Sequence, residues 1–313
     1  MRVLQGTGPW PELSGPTVAT IGVFDGVHLG HRAVLSRAVD AGRELGWPAV
    51  AVTFDPHPRE VLTPGQAPPL ITTARRKAAL IDGLALDALV VLRFDEALSR
   101  WPAEEFARRV LAEGLHAKRV VVGANFTFGH RASGTVDTLR QLGSELEFEP
   151  ESIPLAEVEG RRVSSSSIRA AVAEGDLAWP AAALGRRFGV DGQVVAGAGR
   201  GAGLGFPTAN LEIAPRMLLP ARGVYAGRAT LEDGTNARSC RAAINVGTNP
   251  QFGWEGFHVE AFLLDFDEDL RGREITVEFW ERLRDEVRFA SVEDLVHQIG
   301  SDVERTRASI PGN

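Results

Sequence analysis

The sequence predicts an α/β fold with a parallel sheet, followed by an all-β barrel, and three observations lead to this fold class. In the first half, continuous apolar runs rich in β-branched residues alternate with stretches whose apolar residues recur at helical spacing. In the second half, short strand-like runs are broken by glycine. The length of 313 residues exceeds what one hydrophobic core usually organises. We therefore expect two domains, at residues 1–184 and 185–313.

The composition is that of a soluble globular protein, and it argues against several classes of function. A net charge of −7 does not suit a general nucleic-acid binder. The single cysteine, Cys240, rules out an intramolecular disulfide and a cysteine-based zinc site. No secretory leader follows Met1 and no apolar run approaches the length of a membrane span, so we expect a cytoplasmic protein with no membrane partner.

Four apolar runs of the first half are predicted strands of the parallel sheet. They span residues 16–21, 48–54, 88–94 and 119–123. Each run ends in polar or glycine-rich sequence. Because the carboxyl ends of parallel strands share one edge of a sheet, these segments should collect at a single ligand-binding edge.

The segment after the first predicted strand carries the clearest functional signal. Residues 21–31 read I-G-V-F-D-G-V-H-L-G-H and lead into a helix predicted from the apolar spacing of residues 32–39. The amides and positive dipole end of a helix N-terminus bind anions, and an imidazole can donate a hydrogen bond to a phosphate oxygen. We therefore expect His28 and His31 to converge on a nucleotide phosphate. The alternative is a glycine turn with two surface histidines.

The fourth predicted strand runs into a second candidate segment, residues 123–129, which read G-A-N-F-T-F-G. The Asn125 side chain offers both a donor and an acceptor, which suits a base edge or a ribose hydroxyl. The alternative is that Asn125 caps a turn.

A third segment, residues 161–169, reads R-R-V-S-S-S-S-I-R and precedes a predicted helix. A serine run at such a place is first of all an N-cap signal. With free helix amides and arginines it also forms a cradle for anions. The alternatives are therefore a phosphate site and an ordinary capped surface helix.

These three segments resemble the signatures of the HxGH nucleotidyltransferases, and their form is similar to the flavin adenylyltransferase branch, with Val163 and Ser166 in place of the usual Ile and Thr. The resemblance implies a Rossmann-like domain that binds ATP and a flavin. It implies that His28 and His31 stabilise the transition state and that Asn125 orients nucleotide or flavin phosphate. The other residues that it implies in the site are Arg161, Ser164 and Arg169 for the leaving pyrophosphate, and Gly22, Phe24, Asp25, Gly26, Gly30, Ser165 and Ser166 for the ligands.

The second half opens with the glycine-rich residues 197–205, followed by F-P-T-A-N-L at residues 206–211. A run this rich in glycine is either a mobile loop or a flap whose amides cradle phosphates. The Thr208 hydroxyl and the Asn210 carbonyl oxygen can both ligate Mg²⁺, a hard cation that prefers oxygen. We therefore expect a magnesium–nucleotide site here.

The P-T-A-N run resembles the signature of the riboflavin kinases, and two later strings, at residues 223–227 and 243–252, are similar to segments of that family. Residues 259–266 resemble the strand that carries the family's catalytic glutamate, which maps to Glu260. Without the resemblance, a strand glutamate would be expected to face solvent. The resemblance also implies a nucleotide-binding set of Gly199, Arg200, Gly201, Gly205, Pro207 and Asn245, with Thr208 and Asn210 as metal ligands.

Three residues depart from the family pattern: Gln251 stands where Thr is usual, Phe262 where His is common, and Arg271 where Tyr is usual. None of these changes removes an implied catalytic group, so they concern flavin contacts or packing. The aromatic residues Phe252, Trp254 and Trp280 are candidates both for the core and for flavin contacts.

The chain closes with a predicted helix that begins at Ser291. Leu295, Ile299 and Val303 recur at four-residue spacing, which places them on one face of this helix. We expect this apolar face to pack on the barrel.

The two signatures occur in the order of the bifunctional bacterial riboflavin kinase/FAD synthetases, and the resemblance covers nearly the whole chain. It implies that the barrel uses ATP and Mg²⁺ to convert riboflavin to FMN, and that the first domain joins FMN to AMP to give FAD. Two alternatives remain: a riboflavin kinase whose first domain only senses flavin or nucleotide, and a flavin-sensing regulatory protein. A homo-oligomer is compatible with the sequence, which does not fix the oligomeric state.

Overall fold

The computed structural model describes residues 1–197, 200–233, 236–248 and 257–311. The chain forms two compact units. The first unit consists of Met1–Pro68 and Ala74–Ser165, and the second consists of Pro69–Thr73 and Ser166–Asn313. This grouping does not test the expected functional division at residue 184, which stays a prediction.

The first unit is built on a six-stranded parallel sheet. Its strands are β1 (Arg2–Gln5), β2 (Thr17–Ile21), β3 (Ala49–Asp55), β4 (Ala88–Arg93), β5 (Ala117–Gly123) and β6 (Glu149–Ile153). They lie in the order β1-β4-β3-β2-β5-β6, and each neighbouring pair is parallel. Strands β2 to β5 are the four predicted strands, so the predicted parallel α/β architecture is confirmed.

The two edge strands, β1 and β6, lack the pattern that identifies the others. β1 is mostly exposed, and β6 reads E-P-E-S-I. A strand buried on both faces has a continuous apolar run, whereas an edge strand needs none. The sequence pattern therefore predicts the centre of the sheet and not its edges.

Helices follow most strands of the first unit and bury both faces of the sheet. Alternate residues of β3 belong to different core clusters, with Val50 and Val52 in one and Ala49 and Ala51 in another. The helices are α1 (Leu29–Leu45), α2 (Pro58–Leu62), α3 (Ala74–Asp82), α4 (Glu96–Ser99), α5 (Ala103–Phe106), which a π-helical segment (Ala107–Gly114) continues, and α6 (Val136–Leu146). Short 3₁₀ helices lie at Pro11–Leu13 and His130–Ala132, and a small hairpin is formed by β7 (Glu157–Val158) and β8 (Arg161–Arg162).

The second unit contains a closed antiparallel barrel, which confirms the predicted all-β half. Its strands are β9 (Phe188–Val195), β10 (Ala209–Ile213), β11 (Gly223–Asp233), β12 (Asn236–Thr248), β13 (Phe257–Leu263) and β14 (Glu274–Arg284). Their order is β10-β13-β12-β11-β14-β9, and pairing of β9 with β10 closes the barrel. Residues 69–73 join this unit: Leu70 forms a parallel bridge with Met217, and the Thr73 hydroxyl donates to Asp191 at 3.1 Å.

The remaining helices are α7 (Ser165–Glu174), α8 (Ala178–Leu184), α9 (Arg200–Gly203) and α10 (Val292–Ser309). α10 is the predicted closing helix. Ser291 caps its N-terminus by accepting a hydrogen bond from the Asp294 amide at 3.1 Å. The helix packs against β11, β12 and β14 and buries Val303. No helix in the described ranges combines the length and the apolar character needed to cross a membrane.

A buried ion pair fastens α10 to the barrel. The Arg284 guanidinium on β14 donates to both carboxylate oxygens of Asp302, at 2.9 and 3.2 Å through Nε, and the Asp302 side chain is only 3% exposed. The Gln298 amide donates to the same carboxylate at 3.0 Å. The Asp302 carboxylate is buried and Arg284 is only partly exposed, so the buried carboxylate depends on the guanidinium for its stability.

Replacing Asp302 by alanine should therefore lower the free energy of unfolding by about 3 kcal/mol, because Arg284 would stay partly buried without its countercharge and Gln298 would lose its acceptor. Urea unfolding measures this change. Asp269→Ala is the matched control, since it removes an exposed carboxylate from its pair with Arg271 and should leave stability nearly unchanged. Equal stabilities of the two variants would contradict the proposed fastening role.

Candidate active sites

The order of the parallel strands marks one place for a ligand in the first unit. The chain runs outwards from β2 to β3 and β4, then returns to the other side of β2 to form β5 and β6. Ligands of open α/β sheets bind at such a switch point, beyond the carboxyl ends of the strands. The H-x-G-H segment follows β2 and Asn125 follows β5. The topology therefore brings two of the three predicted segments to the two strands that flank the switch point.

His28 is the N-cap residue of α1, and its conformation fixes which nitrogen carries the proton. Its Nδ1 accepts a hydrogen bond from the backbone amide of His31 at 3.2 Å. A nitrogen that accepts a hydrogen bond carries no proton, so the proton of the neutral ring lies on Nε2. The two imidazoles stack with their centroids 3.6 Å apart and their planes at 15°. His28 can thus donate through Nε2 to an anion at the start of the helix.

The residues around the histidines are packed so closely that only glycine fits at Gly22. A Cβ atom there would lie 2.7 Å from the ring of Phe24. Phe24 is buried, has a φ of 51° and contacts His31 edge to face, with ring centroids 5.3 Å apart. A Cβ at Gly30 would lie 3.2 Å from Cε1 of His28, and Gly26 has a φ of 85°. Close van der Waals packing at these positions therefore holds the two stacked imidazole rings in place. Asp25, in the same turn, is buried.

The serine-rich segment lies against the same turn. The Ser165 hydroxyl donates to the backbone carbonyl of Asp25 at 2.9 Å. Ala156, which leads into the β7–β8 hairpin, lies 3.8 Å from a Cβ built on Gly30. Arg161 is exposed on β8, and Ser164 follows it just before α7. Ser165, in the middle of the third predicted segment, is therefore next to the histidine turn.

The predicted roles of Ser166, Arg169 and Asn125 are not tested by their positions in the structure. Ser166 is exposed, and Ser166 and Arg169 belong to the second unit, where Arg169 Nε donates to the Pro69 carbonyl at 2.7 Å. Asn125 is exposed in the turn after β5, where the Phe126 amide donates to the Gly123 carbonyl at 2.9 Å. The roles predicted for these three residues stay predictions.

Lys77 is a residue of this region that the motifs do not identify. It lies on α3 with 9% exposure, and its ammonium donates to the Val23 carbonyl, the Thr53 hydroxyl and the Phe54 carbonyl at 3.2, 3.1 and 3.4 Å. Burial lowers the pKa of Lys77, while the carboxylates of Asp25 and Asp55 oppose that shift. The sequence feature that could have pointed to Lys77 is its residue type, since only two of the 34 lysines and arginines are lysines.

In the second unit, three predicted site residues form one row across the barrel. Asn210 on β10 and Asn245 on β12 are both register partners of Glu260 on β13. Side chains of directly paired residues point to the same face of a sheet. Because Val259 and Ala261 are fully buried and Glu260 is partly exposed, this row lies on the outer face of the barrel.

The glycine-rich segment closes on itself beside this row. The amides of Leu204 and Phe206 both donate to the Gly201 carbonyl, at 3.0 and 2.8 Å, and Gly205 has a φ of 86°. Pro207 is exposed and precedes Thr208, whose carbonyl accepts a hydrogen bond from Asn210 Nδ2 at 3.4 Å. The backbone of Arg200 begins the short helix α9, and Gly199 lies outside the described residues.

The three departures from the family pattern have different outcomes. Phe262 packs edge to face on Phe206, with centroids 5.5 Å apart, while His258 lies on the same face of β13 with Nε2 3.5 Å from Glu260 Oε1. Arg271 is an exposed residue whose Nε donates to Asp269 at 2.9 Å, and it holds the pKa of that carboxyl at about 2. Gln251 lies outside the described residues, as do Phe252 and Trp254.

Trp280, the third candidate aromatic, packs against two arginines. The guanidinium carbons of Arg187 and Arg228 lie 4.4 and 5.5 Å from its ring centroid. These contacts account for the position of Trp280 within the barrel surface. They do not identify it as a flavin contact.

The oxygen atoms near Thr208 fit the chemistry of Mg²⁺ better than that of a transition metal. Within the described ranges, no group of three or more His, Cys, Asp or Glu side chains could hold a metal ion. Mg²⁺ keeps several waters and takes one or two protein oxygens together with substrate phosphates. The Asn210 amide nitrogen is used in its bond to Thr208, so its Oδ1 and the Thr208 hydroxyl are the ligands that the segment offers.

Comparison with protein-family models divides the chain into two matches. Residues 11–167 match the FAD synthetase model, and residues 184–310 match the riboflavin kinase model. The first match contains the histidine turn, Asn125 and the serine-rich segment up to Ser167. The second contains the row formed by Asn210, Asn245 and Glu260.

Similar whole proteins carry both activities in their names. A bifunctional riboflavin kinase/FMN adenylyltransferase of Pseudomonas fluorescens is 40% identical over 95% of this chain and 94% of its own length. The enzyme of the same name from Escherichia coli K12 is 35% identical over 91% of this chain and 90% of its own length. A solved structure described as a macrolide-efflux protein from Streptococcus pneumoniae is 29% identical, with a TM-score of 0.87 over 98% of this chain and 99% of that one.

Proposed function

The chain belongs to the family of bifunctional riboflavin kinase/FMN adenylyltransferases, and from this premise we propose how its residues divide the two reactions. The enzyme phosphorylates riboflavin to FMN and then adenylylates FMN to FAD. We propose that residues 1–184 perform the adenylylation and residues 185–313 the phosphorylation. The match of each family model to a different half of the chain carries this proposal. Because both reactions consume ATP, we place the enzyme in the cytoplasm.

In adenylyl transfer, a phosphate oxygen of FMN attacks the α-phosphorus of ATP. A new P–O bond forms while the bond to the β-phosphate oxygen breaks, and pyrophosphate leaves. His28 and His31 stabilise the charge that develops on the phosphoryl oxygens. The Nε2–H of His28, fixed by the bond from the His31 amide to Nδ1, is the donor that supports this role.

The other polar groups of the first segments hold the two substrates. Arg161 and Ser164 bind the β- and γ-phosphates as these become the leaving group, and Asn125 orients the attacking phosphate. The bond from Ser165 to the Asp25 carbonyl supports this grouping, because it ties the serine-rich segment to the histidine turn.

In phosphoryl transfer, the 5′-hydroxyl of riboflavin attacks the γ-phosphorus of ATP and ADP leaves. Glu260 accepts the hydroxyl proton, and the amides of Asn210 and Asn245 flank it in register on neighbouring strands. Phosphoryl transfer depends mainly on alignment and on neutralisation of charge. The compact turn closed on the Gly201 carbonyl supports a role in covering the phosphates.

We propose that Thr208 and Asn210 would hold Mg²⁺ through their side-chain oxygens. When bound, the ion neutralises the phosphates of ATP. Replacing Asn210 by alanine should therefore raise the Mg²⁺ concentration that gives half-maximal kinase activity by about tenfold or more. The measurement is a Mg²⁺ titration of FMN formation at fixed ATP.

Asn236→Ala serves as the matched control. Asn236 is also an asparagine of a barrel strand, but it lies at the start of β12, where its register partner is Asp233 on β11 and not Glu260. It should leave the Mg²⁺ dependence unchanged. An Asn210→Ala enzyme with the wild-type Mg²⁺ dependence would contradict the assignment of Asn210 as a ligand.

A further inference from the structure

The buried ammonium of Lys77 lies beneath the turn that carries the catalytic histidines. Its three N–H groups face three acceptors: the carbonyls of Val23 and Phe54 and the hydroxyl of Thr53. The Thr53 hydroxyl in turn donates to the Val23 carbonyl at 3.0 Å. Val23 therefore accepts two hydrogen bonds, one from α3 and one from β3, and these fix the point where the chain leaves β2.

The shape of this cluster suits lysine and not arginine. An ammonium is a compact charge with three donors, whereas a guanidinium is planar and presents five donors in a fork. Three acceptors, two backbone carbonyls and one side-chain hydroxyl, converge on Lys77 Nζ. The chain has only two lysines among its 34 lysines and arginines. Lys118 is exposed, whereas Lys77 is buried.

The turn above Lys77 adopts uncommon backbone conformations. Phe24 and Val27 have φ values of 51° and 41°, in the left-handed region that side chains with a Cβ rarely adopt. Such conformations persist only where surrounding contacts enforce them. In this turn, two hydrogen bonds to backbone carbonyls hold the backbone in these conformations: one from Lys77 to Val23 and one from Ser165 to Asp25.

We propose that Lys77 is a positioning residue for adenylyl transfer, which holds the Val23 carbonyl so that His28 and His31 keep their stacked, capped arrangement. This inference rests on the proposed roles of the two histidines. Loss of the ammonium would let the turn relax and displace the His28 Nε2–H from the phosphate. Because catalysis is sensitive to displacements of about 1 Å, the chemical step should slow while both substrates still bind.

The test is the steady-state kinetics of FMN adenylylation by Lys77→Met, measured on folded protein well below its melting temperature. We expect kcat to fall about 10- to 100-fold, with the KM values for ATP and FMN within about twofold of those of the wild type. Riboflavin phosphorylation by the same molecules should be unchanged. Lys118→Met is the matched control, because it removes the other lysine, which is exposed and pairs with Glu147 at 3.2 Å, and it should keep both activities.

A second variant keeps the test decisive if Lys77→Met does not fold. Thr53→Val preserves the shape of the side chain but removes the hydroxyl that links Lys77 to Val23, and it should also lower kcat for adenylylation without raising KM. Wild-type kcat in folded Lys77→Met, or in folded Thr53→Val when the first variant is unfolded, would overturn the proposal. If His28→Ala retains full adenylylation, the proposed function of the histidines fails instead, whatever the lysine variants do.

Discussion

Replacing His28 by alanine should lower the rate of FMN adenylylation by about 10²- to 10³-fold and leave riboflavin phosphorylation unchanged. His28 Nδ1 is occupied by the His31 amide, so Nε2–H is the group that can donate to the reacting phosphate. Its loss removes a preorganised donor from a buried site, where such donors have their largest effect. The measurement is the rate of FAD formation from supplied FMN, with the flavins separated by chromatography.

Alanine at position 28 also removes the N-cap of α1. A control must therefore separate the loss of the cap from the loss of the Nε2–H donor. Asparagine is a good N-cap residue but cannot place a donor where the imidazole Nε2–H lies. His28→Asn should therefore restore the stability of the helix and still be inactive in adenylylation. Activity close to wild type in His28→Asn would show that the cap, and not the proton donor, is what the reaction requires.

Replacing Glu260 by glutamine should lower kcat for riboflavin phosphorylation by about 10²- to 10⁴-fold, because glutamine has the same shape but cannot accept the hydroxyl proton. The KM for ATP should change little, since Asn210 and the turn that closes on the Gly201 carbonyl are intact. The same protein should still convert supplied FMN to FAD. Rates of ADP and FMN release measure the loss.

Glu268→Gln is the matched control for this prediction. Glu268 is an exposed glutamate of the same half of the chain, and its carboxylate pairs with Arg238 at 2.6 Å. It should retain kinase activity. If Glu260→Gln phosphorylates riboflavin as fast as Glu268→Gln does, Glu260 is not the base.

The centre of each fold was predictable from the sequence, because burial there leaves a local pattern. Strands β2 to β5 are continuous apolar runs, and α10 has both a serine cap and an apolar stripe. The edge strands β1 and β6 leave no such pattern, since each is held by pairing with a neighbour. The local sequence also could not predict that residues 69–73 belong to the second unit, because this depends on contacts with residues more than 100 positions away.

In the two sites, too, the local sequence predicted the residues of short motifs but not the contacts between residues far apart in the chain. The sequence placed His28 and His31 at a strand-to-helix turn, and the structure adds the cap that sets the proton on Nε2. The row of Asn210, Glu260 and Asn245 depends on the register of three strands, which no short motif encodes. Lys77 was visible only as an unusual residue type, because its partners lie on β3 and on the turn after β2.

The most direct test of two independent active sites in one chain is a mixing experiment with His28→Ala and Glu260→Gln. Each variant alone is given riboflavin, ATP and Mg²⁺, and the flavins are then separated by chromatography. We predict that His28→Ala stops at FMN, that Glu260→Gln leaves riboflavin unconverted, and that an equimolar mixture forms FAD from FMN released by the first variant. A mixture that forms FMN but no FAD, although Glu260→Gln alone adenylylates supplied FMN, would contradict two sites that act independently.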